Sequence, residues 1–322
     1  MSDKSVDLVL EGGGVKGIGL LGAVLTLADA GYRFERIAGT SAGAIVAALV
    51  AAYQKDGRDL HELEDVMWDL DYQQFAKEPF LQDWTGPVGD AFAAFVHGGA
   101  HSGDYLFDWL TPLLRDRGVT TFKDLRIPDS GGSLEDYQKY SLVVHASDLS
   151  RGVLVRLPWD YTKYGMDANE QPVVDAVRAS MAIPFYFRPV QVTTQNGTAT
   201  WVDGGLLANF AITVFDRTDG VTSRWPTWGV ALSGKPTIGR DRPIRTVTGI
   251  GVRCLRTLMN DWDRYNLEEE GIASRTVFVD TSGVSATDFD ITKHDQTRLF
   301  TNGQHAATRF LENLPLERQL SP

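Results

Sequence analysis

Residues 6–55 read VDLVLEGGGVKGIGLLGAVLTLADAGYRFERIAGTSAGAIVAALVAAYQK, and the order of patterns inside this stretch decides the fold. Val6 to Leu10 is a short apolar run that ends in glycines. Ile18 to Ala30 then repeats apolar residues at helical spacing, Arg36 to Ala38 restarts a short strand, and Ala44 to Ala52 forms a second apolar helix. Gly31 stops the first helix, because a residue without Cβ takes positive φ there at no steric cost. Continuously apolar strands alternating with helices indicate a parallel sheet covered by helices. The expectation is an α/β fold that opens with a βαβα unit.

Working outward, residues 58–70 predict an amphipathic helix, and 79–103 mix Phe80, Trp84, Phe92 and Phe95 with Pro and Gly without a regular period, a candidate lid. Strands are expected at Tyr140 to His145, Phe187 to Val192 and Ala199 to Val202, with a hairpin around Val153 to Leu157 and a helix over Val173 to Met181. The remainder predicts a strand at Trp228 to Leu232, a long helix over Ile244 to Glu270, a strand at Arg275 to Asp280 and a helix over Thr292 to Asn313. The polar loops 158–169 and 217–224 are short, and periodic segments resume on both sides. A single domain over 1–322 is therefore expected, with 215–322 completing the sheet and its helical layers.

Of the 322 residues, 43% are hydrophobic, too many for a disordered chain. A formal net charge of -11 argues against a nucleic-acid partner, since phosphate binding needs clustered cations and the one Arg-rich stretch, Arg240 to Arg256, is short. The single cysteine, Cys254, cannot form an internal disulfide or a thiolate zinc site, and no group of His, Cys and carboxylates has metal-ligand spacing. Neither a metal nor a cofactor is expected. The first residues are polar and lack a basic region leading into an apolar one, which favours a cytoplasmic location. The apolar run Ala42 to Tyr53 is shorter than the roughly 20 residues that span a bilayer, so membrane contact is expected to be peripheral.

The chemistry-bearing residues lie in and after the opening stretch. Gly39-Thr40-Ser41-Ala42-Gly43 fits a nucleophile elbow, a strand-to-helix turn that exposes a serine hydroxyl only when its neighbours are small. The plainer reading makes Ser41 a helix cap. Gly12-Gly13-Gly14-Val15-Lys16-Gly17 lies between strand and helix, where N–H groups converge at the positive end of the helix dipole and can hold an oxyanion, with the Lys16 charge beside it. The same residues match the GxGxxG dinucleotide pattern, but the second strand ends in Ala38-Gly39-Thr40-Ser41 with no acid for a ribose. They fail as a P-loop because Gly17, and not Ser or Thr, follows Lys16.

A serine nucleophile needs a base. The six histidines are His61, His97, His101, His145, His294 and His305. An α/β-hydrolase order of Ser41, then Asp203 or Asp280, then His294 or His305 is available, but that fold places more strands before its elbow than the two found here. His97-Gly98-Gly99 follows the serine, where an esterase oxyanion segment precedes it.

Four blocks in order, Gly12 to Gly17, Gly39 to Gly43, Ala179-Ser180-Met181-Ala182-Ile183-Pro184 and Asp203-Gly204-Gly205, resemble the patatin-like phospholipases, related to plant patatins and to the cytosolic calcium-regulated phospholipases A2. The resemblance covers residues 6 to 210. It implies a patatin-like three-layer α/β/α fold around a central, mostly parallel sheet. It also implies a Ser41–Asp203 catalytic dyad, in which Asp203 takes the serine proton directly. The N–H groups of Gly12, Gly13 and Gly14 would form the oxyanion hole, supported by Lys16 and Gly17, with Gly39, Gly43, Gly204 and Gly205 as motif neighbours. The substrate would be a lipid ester cleaved through an acyl-enzyme. Read alone, Asp203-Gly204-Gly205 is a turn after a strand and Ala179 to Pro184 is a helix end stopped by proline. Met181, Phe185, Tyr186, Phe187 and the Phe80 to Phe95 region fit an acyl channel and fit a packed core equally well. The alternatives are a conventional Ser-His-Asp carboxylesterase and a non-catalytic lipid-binding module on the same fold.

Overall fold

The computed structural model describes residues 4–76, 102–129, 134–184, 186–195, 197–221, 223–232, 257 and 270–314. The expected lid falls outside these residues except for Ser102 and Gly103, as do His97, His101, Phe185 and Cys254. Of the helix expected over Ile244 to Glu270, only Thr257 and Glu270 are described.

Among the described residues eight strands form one sheet: β1 (Lys4–Leu10), β2 (Tyr32–Thr40), β3 (Leu142–Asp148), β4 (Val153–Leu157), β5 (Val190–Thr194), β6 (Gly197–Asp203), β7 (Thr227–Ala231) and β8 (Thr276–Phe278). Their order is β5-β6-β3-β2-β1-β7-β8, with β4 also paired to β3. The pairs β1–β2, β2–β3, β1–β7 and β7–β8 are parallel. Only β4, β5 and β6 run antiparallel to their partners. Around the sheet lie the helices α1 (Gly17–Asp29), α2 (Ala42–Lys55), α3 (Glu62–Trp68), α4 (Gln73–Ala76), α5 (Ser102–Arg115), α6 (Val173–Ser180), α7 (Gly205–Ala208), α8 (Glu270–Ala273) and α9 (Lys293–Glu312). This is the expected α/β class, a mostly parallel central sheet flanked by helices.

The parallel strands are apolar because both of their faces are covered. Leu8, Val9 and Leu10 of β1 and Ile37 and Ala38 of β2 are all buried. Helix α1 is buried along most of its length and packs on α9, where a Cβ on Gly22 would come 2.2 Å from the Phe300 carbonyl oxygen and one on Gly303 would come 2.1 Å from that of Gly19. Glycines at these crossings let the two backbones touch.

Several elements depart from expectation: the strand expected at Phe187 to Val192 runs Val190–Thr194, and the one expected at Tyr140 to His145 runs Leu142–Asp148. Strand β2 starts at Tyr32, earlier than the apolar run Arg36 to Ala38, because Tyr32 and Phe34 point inward between the outward Arg33 and Glu35, a period-two pattern hidden by its charges. Helix α5 lies where the sequence reading placed no element, and Pro112 sits inside it. Its buried Leu106, Leu110 and Leu114 recur every four residues and anchor one face nonetheless.

Candidate active site

Strand register brings two chain ends together. Val144 and His145 of β3 pair with Gly39 and Thr40 of β2 on one edge and with Leu157 and Arg156 of β4 on the other. One residue later, Ala146 still pairs with β4 through Val155, but its other edge is taken by Asp203 of β6. Strand β2 thus ends where antiparallel β6 arrives from the opposite direction on the same edge of β3. Thr40 and Asp203 face consecutive residues of β3, so Ser41 and Asp203 leave the sheet at one point. Gly204 is required at this junction, where a Cβ would lie 2.4 Å from the His145 carbonyl oxygen.

Ser41 is the one non-glycine residue of positive φ among the described residues, at φ 53° and ψ -123°. Such a conformation costs on the order of 1–3 kcal/mol and persists only where its surroundings enforce it. Here the elbow is jammed against its neighbours: a Cβ on Gly39 would come 2.3 Å from the Gly43 oxygen, and one on Gly43 would come 2.4 Å from the Leu10 oxygen. The Ser41 N–H donates to Ser180 Oγ at 2.8 Å. Ser41 Oγ does not cap α2, so the capping alternative fails on geometry. The hydroxyl is directed at Met181 Sδ, 3.8 Å away.

The glycine loop sits beside this elbow, and a Cβ built on Gly12 would come 3.2 Å from Ser41 Cβ. One expected donor is corrected: the Gly12 N–H is engaged by the Asn209 carbonyl at 3.0 Å, so it does not face an open site. Asn209 Nδ2 in turn donates to the Gly12 oxygen at 3.0 Å and to Glu11 Oε1 at 3.3 Å, and Glu11 Oε2 accepts the Leu232 N–H. The N–H groups of Gly13 and Gly14 have no partner among the described residues. Gly14 lies at φ +56°, with the Ala286 oxygen where a side chain would stand. Burial lowers the Lys16 pKa, and the nearby Glu11 charge opposes that shift. Gly17 begins α1 and faces Ala42 of α2.

Asp203 is fully buried, its N–H donating to the Ala182 oxygen at 2.9 Å and its Oδ1 accepting from the Gly205 N–H at 2.7 Å. Oδ2 has no hydrogen-bond partner of normal geometry among the described residues. Burial pushes the carboxyl pKa up to about 7, against the lowering influence of the Gly205 N–H and then of the Ser41 hydroxyl. Ser41 Oγ therefore lies near enough to favour the carboxylate while its own hydrogen bond is aimed elsewhere.

Four of the six histidines are among the described residues. His145 is buried beneath the elbow with Nδ1 3.2 Å from Thr40 Oγ1, and burial, then the Arg156 charge, hold its pKa down at about 4. His61 bridges Asp29 and Glu64 at the surface. His294 and His305 are exposed on α9, and Asp280 accepts from the Ser282 N–H at 2.9 Å. Among the described residues no histidine hydrogen-bonds Ser41 or Asp203. No group of three or more His, Cys, Asp or Glu is placed to hold a metal among them either.

A cavity of about 20 Å³ adjoins the elbow, walled by Gly14, Val15, Ala42, Met67, Leu70, Phe75, Met181, Ile183, Phe187 and Phe289. Met181 and Phe187 line it and also pack in or against the hydrophobic core, whereas Tyr186 packs against the core without lining it. Ser180, Asn209 and Glu11 were not singled out in the sequence as site residues. Ser180 lies inside a recognised block that reads as a plain helix end, while nothing local marks Asn209 or Glu11 as loop supports.

Comparison with known proteins identifies the family. The sequence profile described as patatin-like phospholipase matches residues 8–216. Protein YqhO of Bacillus subtilis (strain 168) is 33% identical over 316 residues, covering 95% of this chain and 98% of its own. The NTE family protein Rv2565 of Mycobacterium tuberculosis is 28% identical over 221 residues, covering 66% of this chain but 28% of that relative. The crystal structure of VipD from Legionella pneumophila superposes with a TM-score of 0.52 at 17% identity, covering 97% of this chain and 67% of VipD, a likeness of fold. The chain belongs to the patatin-like phospholipase family.

Proposed function

We propose that this protein is a serine lipid acyl hydrolase in which Ser41 is the nucleophile and Asp203 its base. The observation that carries the reading is the buried, unpartnered Oδ2 of Asp203 beside a strained serine. A carboxyl with pKa near 7 is half ionised at neutral pH and matched to proton transfer.

The reaction runs in two halves. Ser41 Oγ attacks the ester carbonyl while its proton passes to Asp203 Oδ2, and the carbonyl oxygen becomes an oxyanion facing the Gly13 and Gly14 N–H groups. Collapse breaks the bond to the alcohol, which leaves with the proton from Asp203, and the acyl group remains on Oγ. Water then attacks this ester, giving its proton to Asp203, and a second collapse returns that proton to Oγ and releases the fatty acid. One oxyanion donor is worth roughly 100- to 1,000-fold in rate. No step requires a metal, so activity is expected to persist in chelator.

A lipid ester is the substrate class because the space beside the nucleophile has almost wholly apolar walls. Access from a membrane surface would be peripheral, since no helix among the described residues is long and apolar enough to cross a bilayer. The test is mass spectrometry of the intact protein after a serine-directed fluorophosphonate, with p-nitrophenyl ester hydrolysis in parallel. Labelling at Ser41 that disappears in Ser41→Ala and Asp203→Ala, and survives in His294→Ala and His305→Ala, is expected. Full activity in a folded Asp203→Ala would overturn the dyad.

A further inference from the structure

We propose that Met181 is the gate of this site: its thioether keeps the Ser41 hydroxyl turned from the neighbouring base and its side chain closes the acyl cavity, so that the acyl chain itself switches the dyad on. The proposal rests on the hydrolase reading above and adds to it the residue that selects the substrate.

Three observations converge on this side chain. The Ser41 hydroxyl donates to Met181 Sδ at 3.8 Å, although a buried carboxylate oxygen of Asp203 stands nearby without a partner. Charged oxygen is a far stronger acceptor than a thioether, so the resting arrangement leaves the better bond unmade. Met181 also lines the cavity together with Gly14 and Ala42, which belong to the glycine loop and the elbow, so one side chain touches both the nucleophile and the cavity. With the side chain in place the cavity measures about 20 Å³, room for about one water and not for an acyl chain. Met181 is only partly buried and caps the end of α6, where an unbranched side chain with three rotatable bonds can swing aside.

Entry of an alkyl chain among Met67, Phe75, Ile183 and Phe187 must therefore displace the Met181 side chain. The same displacement removes the hydrogen-bond acceptor of Oγ and leaves Asp203 Oδ2 as its successor. Long acyl chains accomplish this by filling the cavity. Short ones leave Met181 in place, so the selectivity is for acyl length.

The experiment measures the second-order rate of Ser41 labelling by two fluorophosphonates, one with an ethyl and one with a dodecyl chain, in the wild type, Met181→Leu and Met181→Ala. Thermal melts confirm folding, and the leucine variant conserves volume. Met181→Leu removes the sulfur acceptor and keeps the bulk, and it should react with the ethyl probe about two- to fivefold faster, the worth of one weak hydrogen bond. Met181→Ala opens the cavity as well and should abolish most of the preference for the dodecyl probe. Labelling of Ser41 with the same rates and the same chain preference in all three proteins overturns the gate and leaves the hydrolase reading intact. No labelling of Ser41 in the wild type overturns both.

Discussion

Ser41 is held in a conformation it would not choose, and among the described residues Ser180 supplies the side chain that grips its backbone. Ser180→Ala leaves the Ser41 N–H buried without an acceptor, a loss of about 1–3 kcal/mol that falls on the elbow. We predict a fall in kcat of about tenfold or more with KM nearly unchanged, because the substrate walls are untouched. A rise in KM at constant kcat would show that Ser180 serves binding instead. The second prediction at this scale concerns pH. In the proposed dyad only the carboxylate form of Asp203 accepts the serine proton, and burial raises its pKa to about 7. Ester hydrolysis should therefore rise with pH through about 7 and level off above it, measured as kcat/KM. A limb near the ordinary carboxyl range would mean that the resting burial of Asp203 does not persist in the working enzyme.

Among the elements, the seam between α1 and α9 positions the loop that precedes α1. Gly22→Ala places a methyl group 2.2 Å from the Phe300 carbonyl oxygen, a backbone atom that cannot turn aside. Overpacking of this kind costs ~1–3 kcal/mol, so a melting temperature lower by several degrees is expected, with little change in kcat for the protein that stays folded. An unchanged melting temperature would mean that the helices separate freely. Elements of this kind differ in how well the sequence announces them. The opening βαβα unit was legible because buried parallel strands and buried helices leave continuous apolar runs with different periods, as at Val6 to Leu10 and Ile18 to Ala30. Helix α5 was not, because Pro112 masks three leucines at helical spacing. At the site, Ser41 and Gly14 were legible through the small residues that their turns demand. Asp203 gained its meaning from its order among the other blocks, since Asp-Gly-Gly alone reads as a turn. The engagement of the Gly12 N–H by Asn209 was invisible, because it joins residues 197 positions apart that meet only once β6 lies against β3.

For the molecule as a whole, the buried acids set how function and stability trade. Asp7 and Asp203 both lie wholly inside, and burial raises the pKa of each, Asp7 to about 6 despite its ion pair with Arg36 and Asp203 to about 7. A folded-state pKa above the unfolded value means that the native protein holds its proton more tightly than the unfolded chain does. Ionisation then costs nothing below the unfolded pKa of 3.8, costs more as pH rises toward 7, and costs its full amount above that. At ~1.4 kcal/mol per unit the ceiling for Asp203 is about 4 kcal/mol. Asp203→Asn removes this titration while its side-chain oxygen can still accept the Gly205 N–H, and Asp7 titrates alike in both proteins and cancels from the comparison. We therefore predict that the inactive Asp203→Asn variant melts several degrees above the wild type at pH 8, with the gap closing as pH falls to 4. Equal melting temperatures at pH 8, or a gap that widens in acid, would show that the carboxylate is stabilised in the resting protein. The charge on Asp203 would then carry no cost to stability, contrary to what its burial and its lack of a partner for Oδ2 among the described residues require.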